Sequence, residues 1–180
     1  ADAQSQLALE RKEQLEAEER RTRAAQAESD YAQALAQQSL PSSSVQLIEE
    51  KIRSAAGLGH APAQVALGQR LQGRPGGSEE AIDWFTKAAK QGHAPAMEAL
   101  GLAYRDGRGV AADRAQAENW LRQAAELKLG SAQFELGRLL KHGGAVAEAP
   151  RWLELAAQGG HSGAQFELGT LLLGAAGAPE

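Results

Sequence analysis

APAMEALGLAYRDGRGVAADRAQAENWLRQAAELKLG, residues 94–130, reads as two helical stretches separated by a glycine-rich turn and closed by a stop. Its parts recur on both sides. Upstream, HAPAQVALGQRL (60–71) precedes EEAIDWFTKAAKQGH (79–93). Downstream, SAQFELGRLL (131–140) precedes PRWLELAAQGGH (150–161), and a lone SGAQFELGTLLL (162–173) follows. The Leu-Gly pair falls at Leu67-Gly68, Leu100-Gly101, Leu136-Gly137 and Leu168-Gly169, in steps of 33, 36 and 32 residues. Paired alanines keep the same beat at Ala55-Ala56, Ala88-Ala89, Ala124-Ala125 and Ala156-Ala157, as do Trp84, Trp120 and Trp152. A period in the thirties means stacked helical hairpins, each burying its apolar face against its neighbours.

Gly68, Gly101, Gly137 and Gly169 fall mid-helix, where glycine is about 1 kcal/mol worse than alanine. Repetition in register points to a neighbouring helix that comes too close for a side chain. Trp84, Trp120 and Trp152 are expected to fill the wider part of that interface, Trp84 sharing a buried stripe with Ala81 and Ala88. Pro62 and Pro95 sit at first-turn positions, where a missing N–H costs nothing. In DGRGVAAD (106–113), Gly107 and Gly109 suit positive φ and Asp113 caps the next helix. Ser78 is expected to cap the helix after GRPGG, and Pro150 to delay or kink the start of its own.

The residues A-x-x-x-LG-x-x-Y-x-x-G-x-GV, then A-x-x-WL-x-x-AA, carry a resemblance to a known family. Ala96, Leu100, Gly101, Tyr104, Gly107, Gly109, Val110, Ala117, Trp120, Leu121, Ala124 and Ala125 resemble the Sel-one-like repeat, a branch of the tetratricopeptide superfamily. The likeness spans roughly 45–173. It implies an all-α, right-handed α-solenoid of stacked antiparallel helix pairs, and adaptor or scaffold work. It also leans towards a bacterial source and the periplasm or cell envelope, with the cytoplasm as the alternative.

The organisation read from the chain is an N-terminal helical arm (1–40) continuing into the first hairpin, helical repeats (41–173) and a flexible tail (174–180). Residues 2–38 hold no Gly or Pro and are rich in helix formers. Leu7, Leu9 and Leu15 are too sparse for a heptad seam, so a solvated helix and a partner-binding arm both remain open. Tyr31 and Leu35 are expected to begin the stack, Pro41 to stop the arm, and Ser43 with Gln46 to cap the next helix. The chain opens on Ala with no signal-peptide pattern, which fits a processed or a trimmed chain alike. At the other end, 162–173 has no second helix over it. Either the array continues, or a partner, another copy included, covers that face.

A net charge of −4 with interspersed signs lacks the basic stripe of a nucleic-acid footprint. Zero Cys excludes disulfides and thiol chemistry and leaves the compartment open. No apolar run is long enough to cross a membrane. His60, His93 and His161 recur at one repeat position, farther apart than ligands of one ion, so they read as structural caps, and His142 stands alone. No nucleophile triad, phosphate loop or HExxH string occurs. No catalytic residue, cofactor or metal is therefore expected.

The helical wheel offers a binding face instead. With Leu136 pointing into its hairpin, Phe134, Arg138 and Lys141 face away from it. The equivalents are Val65, Gln69 and Gln72; Glu98, Leu102 and Arg105; and Phe166, Thr170 and Leu173. First helices line the concave side of such stacks. Val65, Gln69, Glu98, Leu102, Arg105, Phe134, Arg138, Lys141 and Phe166 thus make the candidate groove for a partner protein or peptide carrying acidic groups. Packing between adjacent first helices is the competing use of these side chains. Arg138→Glu is expected to weaken an acidic partner while leaving thermal unfolding nearly unchanged. A homodimer through the N-terminal or C-terminal helix is the alternative function.

Overall fold

The computed structural model describes the backbone of residues 3–38, 45–143 and 147–176, and the side chains of 6–38, 45–143 and 147–170. Among these residues there are nine helices and no strand. They are α1 (Ala3–Gln38), α2 (Val45–Gly57), α3 (Ala61–Gln72), α4 (Ser78–Ala89), α5 (Ala94–Asp106), α6 (Arg114–Glu126), α7 (Gly130–His142), α8 (Ala149–Gln158) and α9 (Ser162–Ala176). Each packs chiefly on the helices before and after it, so the stack is an all-α solenoid whose main core runs from α1 to α8, with a smaller cluster between α8 and α9. Pro41 and the Ser43 cap lie outside the described residues.

α1 is 36 residues long, about 54 Å at 1.5 Å per residue. Its first two-thirds are exposed, with Leu7, Leu9 and Leu15 in solvent and i,i+4 pairs Lys12–Glu16 (4.0 Å) and Glu19–Arg23 (3.7 Å) along the surface. The last turns dock. Ala27, Asp30 and Ala34 are buried at i, i+3, i+7, and Tyr31 packs against the core with its ring 4.9 Å from that of His60, as expected, while Leu35 is exposed. Asp30, 3% exposed, accepts hydrogen bonds from Ser54 Oγ (2.6 Å), Lys51 Nζ (3.0 Å) and Gln26 Nε2 (3.1 Å), joining α1 to α2. Those donors, Ser54 first, hold its carboxyl below the usual carboxylate range against the opposing effect of burial.

Three of the four mid-helix glycines mark close approach, and Gly169, with no atom within 4 Å of an added Cβ, does not. A Cβ on Gly68 would stand 2.5 Å from Phe85 Cε1, on Gly101 2.6 Å from Leu121 Cγ, and on Gly137 2.8 Å from Leu153 Cγ. The filler is therefore the residue after each tryptophan, not the tryptophan itself. Ala81, Phe85 and Ala88 make the buried stripe of α4, because i, i+4, i+7 faces α3 where i+3 lies one step off. Trp84 and Trp120 are half-buried beside the core, and Trp152 is 7% exposed. Trp84 donates to Glu80 (3.3 Å) and carries Lys87 over its ring.

The turns account for the unequal steps. Gly107 (φ 68) closes α5 and Gly109 (φ 75) follows it; a Cβ on Gly109 would run into the carbonyl of Ser78. Asp113 caps α6 through Gln116 N (3.0 Å). Ser78 is the first residue of α4 rather than its cap: Gly77 precedes it with no side-chain cap. Pro150 occupies the first turn of α8, where its missing N–H is harmless.

Candidate functional site

The histidines resolve first. His60 Nδ1 accepts from Ala63 N and His161 Nδ1 from Ala164 N, both at 3.3 Å, so each caps the helix it precedes. His93 holds the same position without a side-chain cap bond, and Leu129 replaces it before α7. Among the described residues no cluster of His, Asp or Glu could hold a metal ion. Nor is any described helix long and apolar enough to cross a membrane.

The candidate groove is formed by the outward faces of α3, α5, α7 and α9. Val65 is buried and offers a partner nothing, whereas Gln69 is exposed. Leu102 and Glu98 are half-buried, and loss of solvent pushes the Glu98 carboxyl up. Phe134 stacks on His161 at 4.4 Å between centroids, with the Arg138 guanidinium 5.5 Å from its ring. Phe166, the same position one unit on, is 74% exposed. Leu173 lies outside the described side chains.

The basic residues of this face are already partnered. Arg105 pairs with Asp106 (2.6 Å) and with Glu135 on the next first helix. Arg138 stands 3.7 Å from both Glu135 and Glu167, and Lys141 donates to Glu167 at 2.7 Å. Lys141, first among the causes, holds the Glu167 carboxyl below its ordinary range. Glu135 and Glu167 were absent from the sequence-derived set although both precede a Leu-Gly pair. For Glu135 the available signal is Arg138 three residues on; Glu167 has no arginine at that spacing. A partner carboxylate would compete with them. Arg138→Glu would gather three carboxylates, and their repulsion predicts a loss of thermal stability where the sequence alone suggested little change.

A second recurrent element lies at the opposite ends of these helices. Gln64 Nε2 donates to Ala56 O (3.1 Å), Gln133 Nε2 to Ala125 O (3.1 Å) and Gln165 Nε2 to Ala157 O (3.2 Å). Each ties a first helix to the paired alanines before it. The second unit has Met97 in that place.

This arrangement is that of an array of helical repeats. The Sel1 repeat model matches residues 61–93, 94–129 and 130–161, more than half of the chain, and the protein belongs to the Sel1 repeat family. Proteins built from these repeats generally serve as protein–protein interaction scaffolds, and the fold is typically non-catalytic. Among solved structures, the chain is 28% identical to a protective antigen of uropathogenic Escherichia coli with an SLR fold, at a TM-score of 0.72 over 78% of its length. It is 26% identical to a Sel1 repeat protein from Oxalobacter formigenes, at a TM-score of 0.68 over 77% of its length. It spans 32% of the first of those chains and 59% of the second. No curated protein matches it.

Proposed function

We propose that the protein is a non-catalytic scaffold that holds a partner polypeptide along the concave face of its first helices. The cross-helix ladder Arg105–Glu135, Arg138–Glu167 and Lys141–Glu167 supports this reading most. It pins long side chains on either side of the apolar steps Leu102, Phe134 and Phe166, so little ordering remains to be done on association. Because cations and carboxylates alternate there, the fitting partner carries apolar anchors with charges of both signs rather than a run of acids. A partner captured from the native host is the reagent for the test. The double variant Leu102→Ser/Phe166→Ser should bind it about tenfold or more weakly with helicity unchanged. Undiminished binding would remove the face from consideration.

A second reading is self-association through α9 and the exposed half of α1. It is favoured by Phe166 in solvent and by Gly169, around which no atom lies within 4 Å of an added Cβ. Sedimentation at two concentrations separates the readings. A concentration-dependent dimer abolished by Phe166→Ser supports self-association, and a monomer at both supports the scaffold.

A further inference from the structure

Three departures from the repeat pattern converge on one cavity. Two residues past the paired alanines stand Leu58, Gln91, Leu127 and Gly159; three past them stand Gly59, Gly92, Lys128 and Gly160. The three glycines of the second set have φ of 97°, 80° and 87°, and Lys128 adopts 64°, a left-handed conformation that L side chains take up at a cost. Strained residues of this kind gather at ligand-holding sites. Before the tryptophans stand Asp83, Asn119 and Arg151. The basic residues of both sets, and the glycine without a side chain, all belong to the junction of α6, α7 and α8.

The equivalent junction of α2, α3 and α4 shows what is missing there. Gln64 holds Ala56 O with its Nε2, and its Oε1 accepts from Gln91 Nε2 at 2.9 Å. Gln133 repeats the first half of that arrangement, but Gly159 has no side chain to return the second bond. Gln133 is 7% exposed, and among the described residues no second side chain donates to it as Gln91 does to Gln64. In place of the missing amide lies a concavity of about 480 Å³, a size ordinary for a ligand pocket. Gln133 lines it with the apolar Ala125, Trp152 and Leu155 and the basic Lys128 and Arg151.

Charge separates this cavity from the first-helix face. Neither Lys128 nor Arg151 has a carboxylate partner among the described residues; the Arg151 guanidinium rests 5.7 Å from the Trp152 ring. Glu126 is the opposing charge in the lining.

We propose that this cavity is a second docking site, which takes an acidic segment of a partner polypeptide. A backbone or side-chain amide of the segment donates to Gln133 Oε1, as Gln91 does to Gln64. An apolar side chain lies against Trp152 and Leu155, and carboxylates meet Arg151 and Lys128. Glu126 repels a carboxylate at the α6 lip and so sets the direction of the segment. The site is independent of the first-helix face, and either can fail alone.

The test is fluorescence polarisation with synthetic 12-residue peptides. Each has a central Leu-Gln flanked by Asp and Glu, and each is matched by a counterpart with Lys at the acidic positions. Acidic members should bind about tenfold or more tightly than the Lys counterparts. Gly159→Gln supplies from the chain itself the amide that Gln91 supplies elsewhere. A Cβ at Gly159 meets nothing nearer than 3.4 Å, so the variant should keep the parent's helicity, and it should lose about tenfold or more in affinity. Lys128→Gly should also weaken the acidic peptides while raising the unfolding temperature. Leu102→Ser/Phe166→Ser should bind them as the parent does. The proposal is overturned if no peptide binds, if the two charge sets bind alike, or if Gly159→Gln binds undiminished. Free glutamine or glutamate binding as tightly as the peptides would overturn it in favour of a small-molecule site. A dimer abolished by Gly159→Gln would overturn it in favour of a second copy.

Discussion

Residues 132–137 and 164–169 are the same hexapeptide, AQFELG, in two different surroundings. Both copies are helical, and both glutamines donate to the alanine carbonyl eight residues back. There the likeness ends. α8 lies over the first copy, so Leu136 is fully buried and Gly137 faces Leu153. Nothing among the described residues lies over the second, so Leu168 is half-buried and Gly169 is open. Local sequence thus sets the helix and its tie to the preceding unit. Burial is conferred by the neighbour. A glycine spacer is then a property of a pair of helices, even though it is written in one.

The comparison breaks most visibly at leucine. Leu136→Ala should cost about 2–5 kcal/mol, as expected for a large aliphatic removed from a close-packed core. Leu168→Ala should cost well under half as much. Urea unfolding followed by far-ultraviolet circular dichroism measures both. Equal losses would mean that α9 is covered in solution, and would point to self-association.

At glycine the two copies should differ in sign. Gly137→Ala forces its Cβ against Leu153, and overpacking of this kind costs about 1–3 kcal/mol, reduced by the better helix propensity of alanine. Gly169→Ala meets no neighbour and should stabilise α9 by up to about 1 kcal/mol. Thermal unfolding of the two variants beside the parent is the measurement. A stabilised Gly137→Ala would refute close packing as the reason for the spacer.

Much of this was legible from the chain. The repeat period, the spacer glycines, the left-handed turn at Gly107 and Gly109, and the Asp113 cap all rest on short-range pattern, which a single sequence displays. The tryptophans misled because bulk suggested filling. Facing is decided by a 100° step, and that step gave the gap to Phe85, Leu121 and Leu153. The candidate groove was harder still. Val65 is buried, and the wheel treats each helix alone and cannot show Glu135 and Glu167 reaching across to Arg105, Arg138 and Lys141. Asp30 escaped for a similar reason, since its donors Ser54 and Lys51 come from another helix. Gly159 reads as one more loop glycine until Gln91 and Gln64 are seen to touch.

The smallest difference between the two hexapeptides lies at the residue before their helices, where α9 has the His161 cap and α7 has Leu129 with none. His161→Leu should cost about 0.5–1 kcal/mol, the usual value of a lost cap. His60, the same cap before α3, makes the effect pH-dependent. Burial, only partly opposed by Glu28, pulls its pKa below the ordinary value of 6.5. Protonation also removes the Nδ1 acceptor that Ala63 N uses. The folded protein therefore binds that proton less readily than the unfolded chain does. The stabilisation is complete above 6.5 and is lost as the pH falls through the folded value. His93 shifts in the same direction, also through burial, but makes no cap bond. Unfolding measured from pH 7.5 to 5 should show the parent losing stability with a steeper slope than His60→Leu. An unchanged slope in that variant would leave the His60 cap a purely geometric feature.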